Sequence, residues 1–137
     1  MKKVMVFGTF DILHPGHLYL FEQAKHYGDY LIVVVGRDAT VTKVKGKHAL
    51  HNEDERLAKV KLEKIVDEAV LGNIDDQYKI IEEYRPDFIC LGYDQKSFIA
   101  KGLPDELVKR GIDAKIMHIG PYKEDVYKSS KLRGRQN

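Results

Sequence analysis

Residues 29–36 read DYLIVVVG, an apolar, β-branched run that polar residues scarcely interrupt. A strand with one wet face alternates polar and apolar residues, so a run like this one belongs to a parallel strand buried on both faces. KVMVFG, residues 3–8, reads the same way. Between the two strands lies HPGHLYLFEQAKHYG, which fits a helix. Pro15 suits its first turn, Gly28 suits its C-terminal stop, and Leu18, Phe21 and Ala24 share one face.

The alternation continues after a polar loop. Asn52 and Glu55 have the spacing of a capping box ahead of the helical stretch DERLAKVKLEKI. EAVLG (68–72) predicts a third strand, and DQYKIIEEY a helix ended by Arg85-Pro86. DFICLG (87–92) predicts a fourth strand, PDELVKRG (104–111) a short helix and DAKIMHIG (113–120) a fifth strand. The expected fold is therefore α/β: residues 1–137 as a single domain, a doubly wound, Rossmann-like, five-stranded parallel sheet with helices on both faces. Such sheets bind ligands outside the carboxyl ends of their strands. The stretches 8–11, 36–38, 92–95 and 120–122 all follow strands and should converge there.

Composition narrows the function classes. With 43% hydrophobic and 32% charged residues, the 137-residue chain has the balance of a water-soluble globular domain. No apolar run reaches the roughly 18–20 residues that span a bilayer, and the N-terminal apolar stretch reads as a strand rather than a signal peptide. The expected location is the cytoplasm. A net charge of +2 is too mild to argue for nucleic acid, although KVKGKH (43–48) and KSSKLRGR (128–135) are locally basic. Cys90 is the single cysteine, which excludes an internal disulfide and a cysteine metal cluster and suggests a buried structural thiol.

GTFDILHPGH, residues 8–17, carries the chemistry. Residues three apart on a helix point the same way, so His14 and His17 offer two donors to one spot. That spot lies beside a helix N-terminus, where unpaired N–H groups and the dipole favour anions. Gly16 allows close approach to the backbone, and Gly8-Thr9-Phe10 turns the chain off the first strand. Together they make a phosphate site. The same pair could begin a zinc site, but neither a cysteine nor an HExxH-like partner stands nearby. His26, His48, His51 and His118 read as ordinary surface or core residues.

GTFDILHPGH behind a first strand resembles the signature of the HxGH nucleotidyltransferases, and most closely the cytidylyltransferase-like branch that contains glycerol-3-phosphate cytidylyltransferase. The resemblance extends through GDYLIVVVGRDATVTKVKG, the arginine of NEDERLAKV, VDEAVLG and PDFICLGYDQ. Within that branch RDATVTKVKG, LGYDQ, PYK and the Ser129-Ser130 pair most resemble the archaeal-type FAD synthases.

The resemblance implies transfer of a nucleoside monophosphate from an NTP to a phosphorylated acceptor with release of pyrophosphate. It points first to adenylylation of FMN by ATP; the alternative is a glycerol-3-phosphate or sugar-phosphate cytidylyl- or adenylyltransferase using CTP or ATP. It implies that His14 and His17 hold the NTP phosphates, with Lys43, Lys45 and Arg56 reaching the triphosphate or the acceptor. For the two lysines a solvated loop position is the competing reading, and for Arg56 a salt bridge to Glu53 or Asp54. Thr9, Phe10, Pro15 and Gly16 supply loop contacts to the nucleotide, Asp94 and Tyr122 ribose or base contacts, and Ser129 and Ser130 a second anion cap or an ordinary helix cap. Phe98, Tyr93 and Tyr127 are candidates for an apolar wall against a flavin. No protein metal site is expected; a divalent ion, Mg²⁺ by preference, accompanies the NTP. The partners are small molecules, with neither nucleic acid nor membrane, and the family implies a homodimer.

Overall fold

The computed structural model describes residues 1–92 and 98–120, with Val44 and residues 98–100 described by backbone alone. Five strands, β1 (Lys3–Gly8), β2 (Tyr30–Val35), β3 (Glu68–Leu71), β4 (Phe88–Leu91) and β5 (Lys115–His118), form one sheet in the order β3-β2-β1-β4-β5. Every pairing is parallel, with Lys3 opposite Tyr30 and Val4 opposite Phe88. The chain reverses its direction of winding at β1, between β2 and β4. A crevice opens at such a switch point, outside the carboxyl ends of the strands.

The period-2 geometry of β1 explains the two layers of core. Val4 and Val6 face one way, with Leu31, Val33, Phe21, Ala24, Val60 and Cys90. Met5 and Phe7 face the other, with Ile32, Ile81, Ile89, Leu103 and Leu107. Helices α1 (Pro15–Lys25) and α3 (Glu53–Lys61) thus cover the first face, and α4 (Lys79–Tyr84) and α5 (Phe98–Lys109) the second. Helices on both faces of a parallel sheet are what the uninterrupted apolar strands required. Cys90 is fully buried, and burial pushes its thiol up to about 12, so it is a structural residue. No helix among the described residues is long and apolar enough to cross a membrane.

Helix α1 ends at Lys25 with His26 as its C-cap, short of the expected Gly28, and α3 ends at Lys61, short of Ile65; two larger differences concern whole segments. Residues expected as a polar loop contain α2 (Asp38–Lys45), which Gly46 ends in the left-handed conformation at φ 74°. That helix has Asp38 in its first turn and Lys43 and Lys45 in its last, each suiting the dipole at its end. Helix α5 begins at Phe98 rather than Pro104, which lies inside it. Proline suits a helix start because it has no N–H to donate, yet a helix stabilised by Leu103 and Leu107 against the sheet tolerates one missing bond. The Asn52–Glu55 capping box is present: Asn52 Oδ1 accepts from Glu55 N at 2.8 Å, and Glu55 Oε1 accepts from Asn52 N at 2.9 Å.

Candidate active site

The loop after β1 sits at the switch point and starts with an unusual residue. Phe10 has φ 54°, a left-handed conformation rare for a bulky side chain. This turn folds its ring back into the core, where it is buried against Phe21 with centroids 5.5 Å apart. The ring lies over Gly8, where a Cβ would stand 2.6 Å from Phe10 Cζ. The edge of the same ring supports His17, with centroids 5.2 Å apart and planes at 76°. Phe10 is therefore a floor beneath His17, with its ring committed to packing.

His14 and His17 form the N-terminal cap of α1. His14 is the N-cap residue and its Nδ1 accepts from Gly16 N at 3.1 Å; His17 Nδ1 accepts from His14 N at 3.4 Å. The two rings stack, with centroids 3.8 Å apart. A ring nitrogen that accepts from a backbone N–H has no proton of its own, so each neutral imidazole carries its proton on Nε2. This changes the expected site. Gly16 N is taken by His14, His17 N and Leu18 N both donate to the His14 carbonyl, and Pro15 has no N–H. The first turn satisfies itself, and the donors left over are imidazole edges rather than backbone amides. Gly16 has the same cause: a Cβ there would stand 2.9 Å from His14 Cε1, so the group approaching its backbone is the capping ring.

Burial first, then the nearby charges of His14 and Lys45, lowers the His17 pKa to about 4. At neutral pH His17 is an uncharged hydrogen-bond donor. Lys45, exposed in the last turn of α2, is thus the lysine brought within electrostatic reach of the pair. Lys43 is also exposed on α2.

Arg56 departs most from expectation. Its side chain is fully buried. Nη1 donates to the carbonyls of Thr9 and Gly36, each at 2.8 Å, and Nε to the His51 carbonyl at 3.1 Å. Nη2 meets Asp38 Oδ1 at 2.7 Å, so the salt bridge is to Asp38 and neither to Glu53 nor to Asp54. The guanidinium ties the ends of β1 and β2 to the start of α3, so its donors are spent on the loops it holds. The bond from Arg56, with further help from Glu53 N–H, holds the Asp38 carboxyl below its usual range despite burial.

Asp11 is the residue that sequence reasoning passed over. Its carboxylate accepts from Leu50 N at 2.8 Å and His51 N at 2.9 Å, and it meets His51 Nδ1 at 3.1 Å. Burial opposes ionisation of Asp11, but these bonds outweigh it and lower its pKa. The loop before α3 is thereby fastened to the histidine loop. No local signal reveals this, because donor and acceptor stand 39 and 40 residues apart.

The structure thus brings together Thr9, Phe10, His14, Pro15, Gly16, His17, Lys45 and Arg56 around the loops after β1 and β2. Asp94, Tyr122, Ser129 and Ser130 lie outside the described residues, as do Tyr93, Tyr127 and the side chain of Phe98. Among the described residues no three His, Cys, Asp or Glu side chains gather as a metal cage, and the nearby carboxylates Asp11 and Asp38 are already engaged.

A family model described as cytidylyltransferase-like matches residues 5–135. The FAD synthase of Aciduliprofundum boonei is 50% identical over 122 residues, covering 89% of this chain and 80% of that protein. The FAD synthase of Methanohalophilus mahii is 47% identical over 120 residues, covering 88% and 82%. A crystal structure of a lipopolysaccharide core biosynthesis protein from Thermoplasma volcanium superposes with a TM-score of 0.83 at 44% identity, covering 89% of this chain and 98% of that one.

Proposed function

The chain belongs to the cytidylyltransferase-like family and is a nucleotidyltransferase; from that premise we propose that it transfers AMP from ATP to FMN, forming FAD and pyrophosphate. The observation that carries the reading is the histidine cap of α1, which leaves two stacked imidazoles with Nε2–H donors at the carboxyl end of the central strand. The likeness to proteins described as FAD synthases supports the choice of donor and acceptor.

A phosphate oxygen of FMN attacks the α-phosphorus of ATP in line, and the bond to pyrophosphate breaks, the electron pair leaving with pyrophosphate. An ionised phosphate nucleophile requires no general base. The chain's contribution is position and charge. His17, uncharged at neutral pH, donates from Nε2 to an α-phosphate oxygen as negative charge builds there, and His14 donates beside it. Lys45 and Lys43 add positive charge along the triphosphate. Arg56 and Asp11 keep the loops in register. The divalent ion enters as part of the substrate, coordinated by the triphosphate, and neutralises charge on the leaving pyrophosphate. Activity should vanish in excess chelator and return with Mg²⁺.

The test is a matrix of ATP and CTP against FMN, glycerol 3-phosphate, phosphopantetheine and a heptose 1-phosphate, read by pyrophosphate release. FAD formed in the ATP–FMN well alone is the expected result. Turnover of CTP with glycerol 3-phosphate and none with FMN would overturn it. A second reading, transfer to a sugar phosphate, draws on the description of the Thermoplasma volcanium protein, and the heptose well tests it. The same proposal takes the enzyme as a cytoplasmic homodimer acting on small molecules alone. A monomer mass by light scattering at micromolar concentration, with full activity, would remove the dimer.

A further inference from the structure

Two large apolar side chains stand exposed beside the site. Ile12 is 57% and Leu50 78% exposed. Ile12 belongs to the loop that carries the histidine pair, between Asp11 and His14. Leu50 comes from the loop before α3, and its N–H donates to Asp11 Oδ2 at 2.8 Å. The two therefore flank one carboxylate. Scattered single apolar residues on a surface call for no explanation, and Leu62 at the end of α3 and Val108 on α5 are of that kind. Ile12 and Leu50 differ because a hydrogen-bonded device holds their backbones together. His51 N, donating to Asp11 Oδ1 at 2.9 Å, and Arg56 Nε, donating to the His51 carbonyl at 3.1 Å, fix the chain just beyond Leu50. The leucine is presented on a fastened loop.

We propose that Ile12 and Leu50 form an apolar lip that receives the flat ring system of the acceptor and so selects a ring-bearing phosphate ester over a polyol or sugar phosphate. This rests on the reading of the protein as an FMN adenylyltransferase. The chemistry of the two ends matches. Imidazole donors and the Lys45 charge serve the phosphate end, and the lip serves the apolar end of the same molecule. A glycerol or sugar phosphate has no apolar face to offer, so the lip would give it nothing. The competing occupant is a second copy of the chain. It fits less well, because a permanent cover on Ile12 would sit on the loop that must admit both substrates to His14 and His17.

Steady-state kinetics on the full chain test this, with Leu50→Ser, Ile12→Ser and Leu50→Phe beside the wild type. Losing much of one aliphatic contact corresponds to about five- to tenfold in binding. Each serine variant should raise the KM for FMN by about that factor while the KM for ATP stays within about twofold. Leu50→Phe should keep the FMN value near that of the wild type. If the wild type forms FAD and both serine variants keep the wild-type KM for FMN, the lip is wrong and the functional reading stands. A fall in molecular mass of Leu50→Ser by light scattering would place the residue against a second copy and overturn the lip. If the wild type forms no FAD at all, the functional reading fails first and the lip falls with it.

Discussion

The imidazole of His14 lies against that of His17, with centroids 3.8 Å apart and planes inclined by 22°, and each ring accepts a backbone N–H of the same helical turn through Nδ1. One pair of contacts thus does two things. It finishes the helix, and it sets the tautomer that leaves both Nε2–H groups for substrate.

Capping and donation can be separated by choice of substitution. His14→Ala loses both, so turnover should fall by roughly 10²–10³-fold and stability by about 0.5–2 kcal/mol. His14→Asn keeps a good N-cap acceptor while removing the imidazole. Its turnover should fall as far, with a thermal midpoint near that of the wild type. Near-normal turnover in either variant would remove the phosphate role from this residue.

The lowered pKa of His17 has a definite sign. The fold holds the ring neutral down to about 4, whereas the unfolded chain protonates it near 6.5, the ordinary value for a histidine. The unfolded state therefore binds more protons between those values, and stability must fall as pH drops from about 6.5 towards 4. The depressed carboxylates contribute over a lower range. In Asp38 and Asp76 the leading cause is the bond from Arg56 or Arg110, and their contribution is lost only below the usual carboxylate pKa. Urea midpoints measured at pH 7, 5.5 and 4.5 should decline in the wild type and decline less in His17→Gln. A flat wild-type profile over that interval would contradict the buried, neutral imidazole.

How far the sequence anticipated this depends on whether the signal was local. The strands were legible because Val4–Phe7 and Leu31–Val35 are apolar without alternation, and both faces are in fact covered. The histidine pair was legible because residues three apart must meet on a helix. Helix α2 was not: TVTKVK mixes β-branched and charged residues, and only Gly46 marks its end. The role of Arg56 was not legible either. Its partners at Thr9, Gly36 and Asp38 are 47, 20 and 18 residues away, and the first two are carbonyls that any residue carries.

That burial makes Arg56 a strong test of the arrangement. Arg56→Ala leaves three carbonyls and the Asp38 carboxylate without their donor and should destabilise the protein by about 3–5 kcal/mol. Arg56→Lys keeps the charge but has one ammonium where a planar fork served several acceptors, so it should recover only part of the loss. Equilibrium denaturation checks both. A loss below about 1 kcal/mol in the alanine variant, the range of an exposed ion pair, would show that the guanidinium holds nothing essential.

Gly16→Ala sets local preference against the site. Within a helix alanine is favoured over glycine by up to about 1 kcal/mol, so propensity alone predicts a small gain. The structure predicts a compensating loss, because the new Cβ would stand 2.9 Å from His14 Cε1 and 3.1 Å from Nδ1. The His14 ring has to swing away, which breaks its bond to Gly16 N and its stacking on His17. Removing an N-cap bond costs about as much as the propensity gains, so the thermal midpoint should change little. Turnover should fall on the order of 10²-fold, the scale of an ångström-sized misplacement of a catalytic group. Near-equal stability with strongly reduced kcat is the expected pair of results. A variant as active as the wild type would mean that the His14 ring is free to sit elsewhere during the reaction.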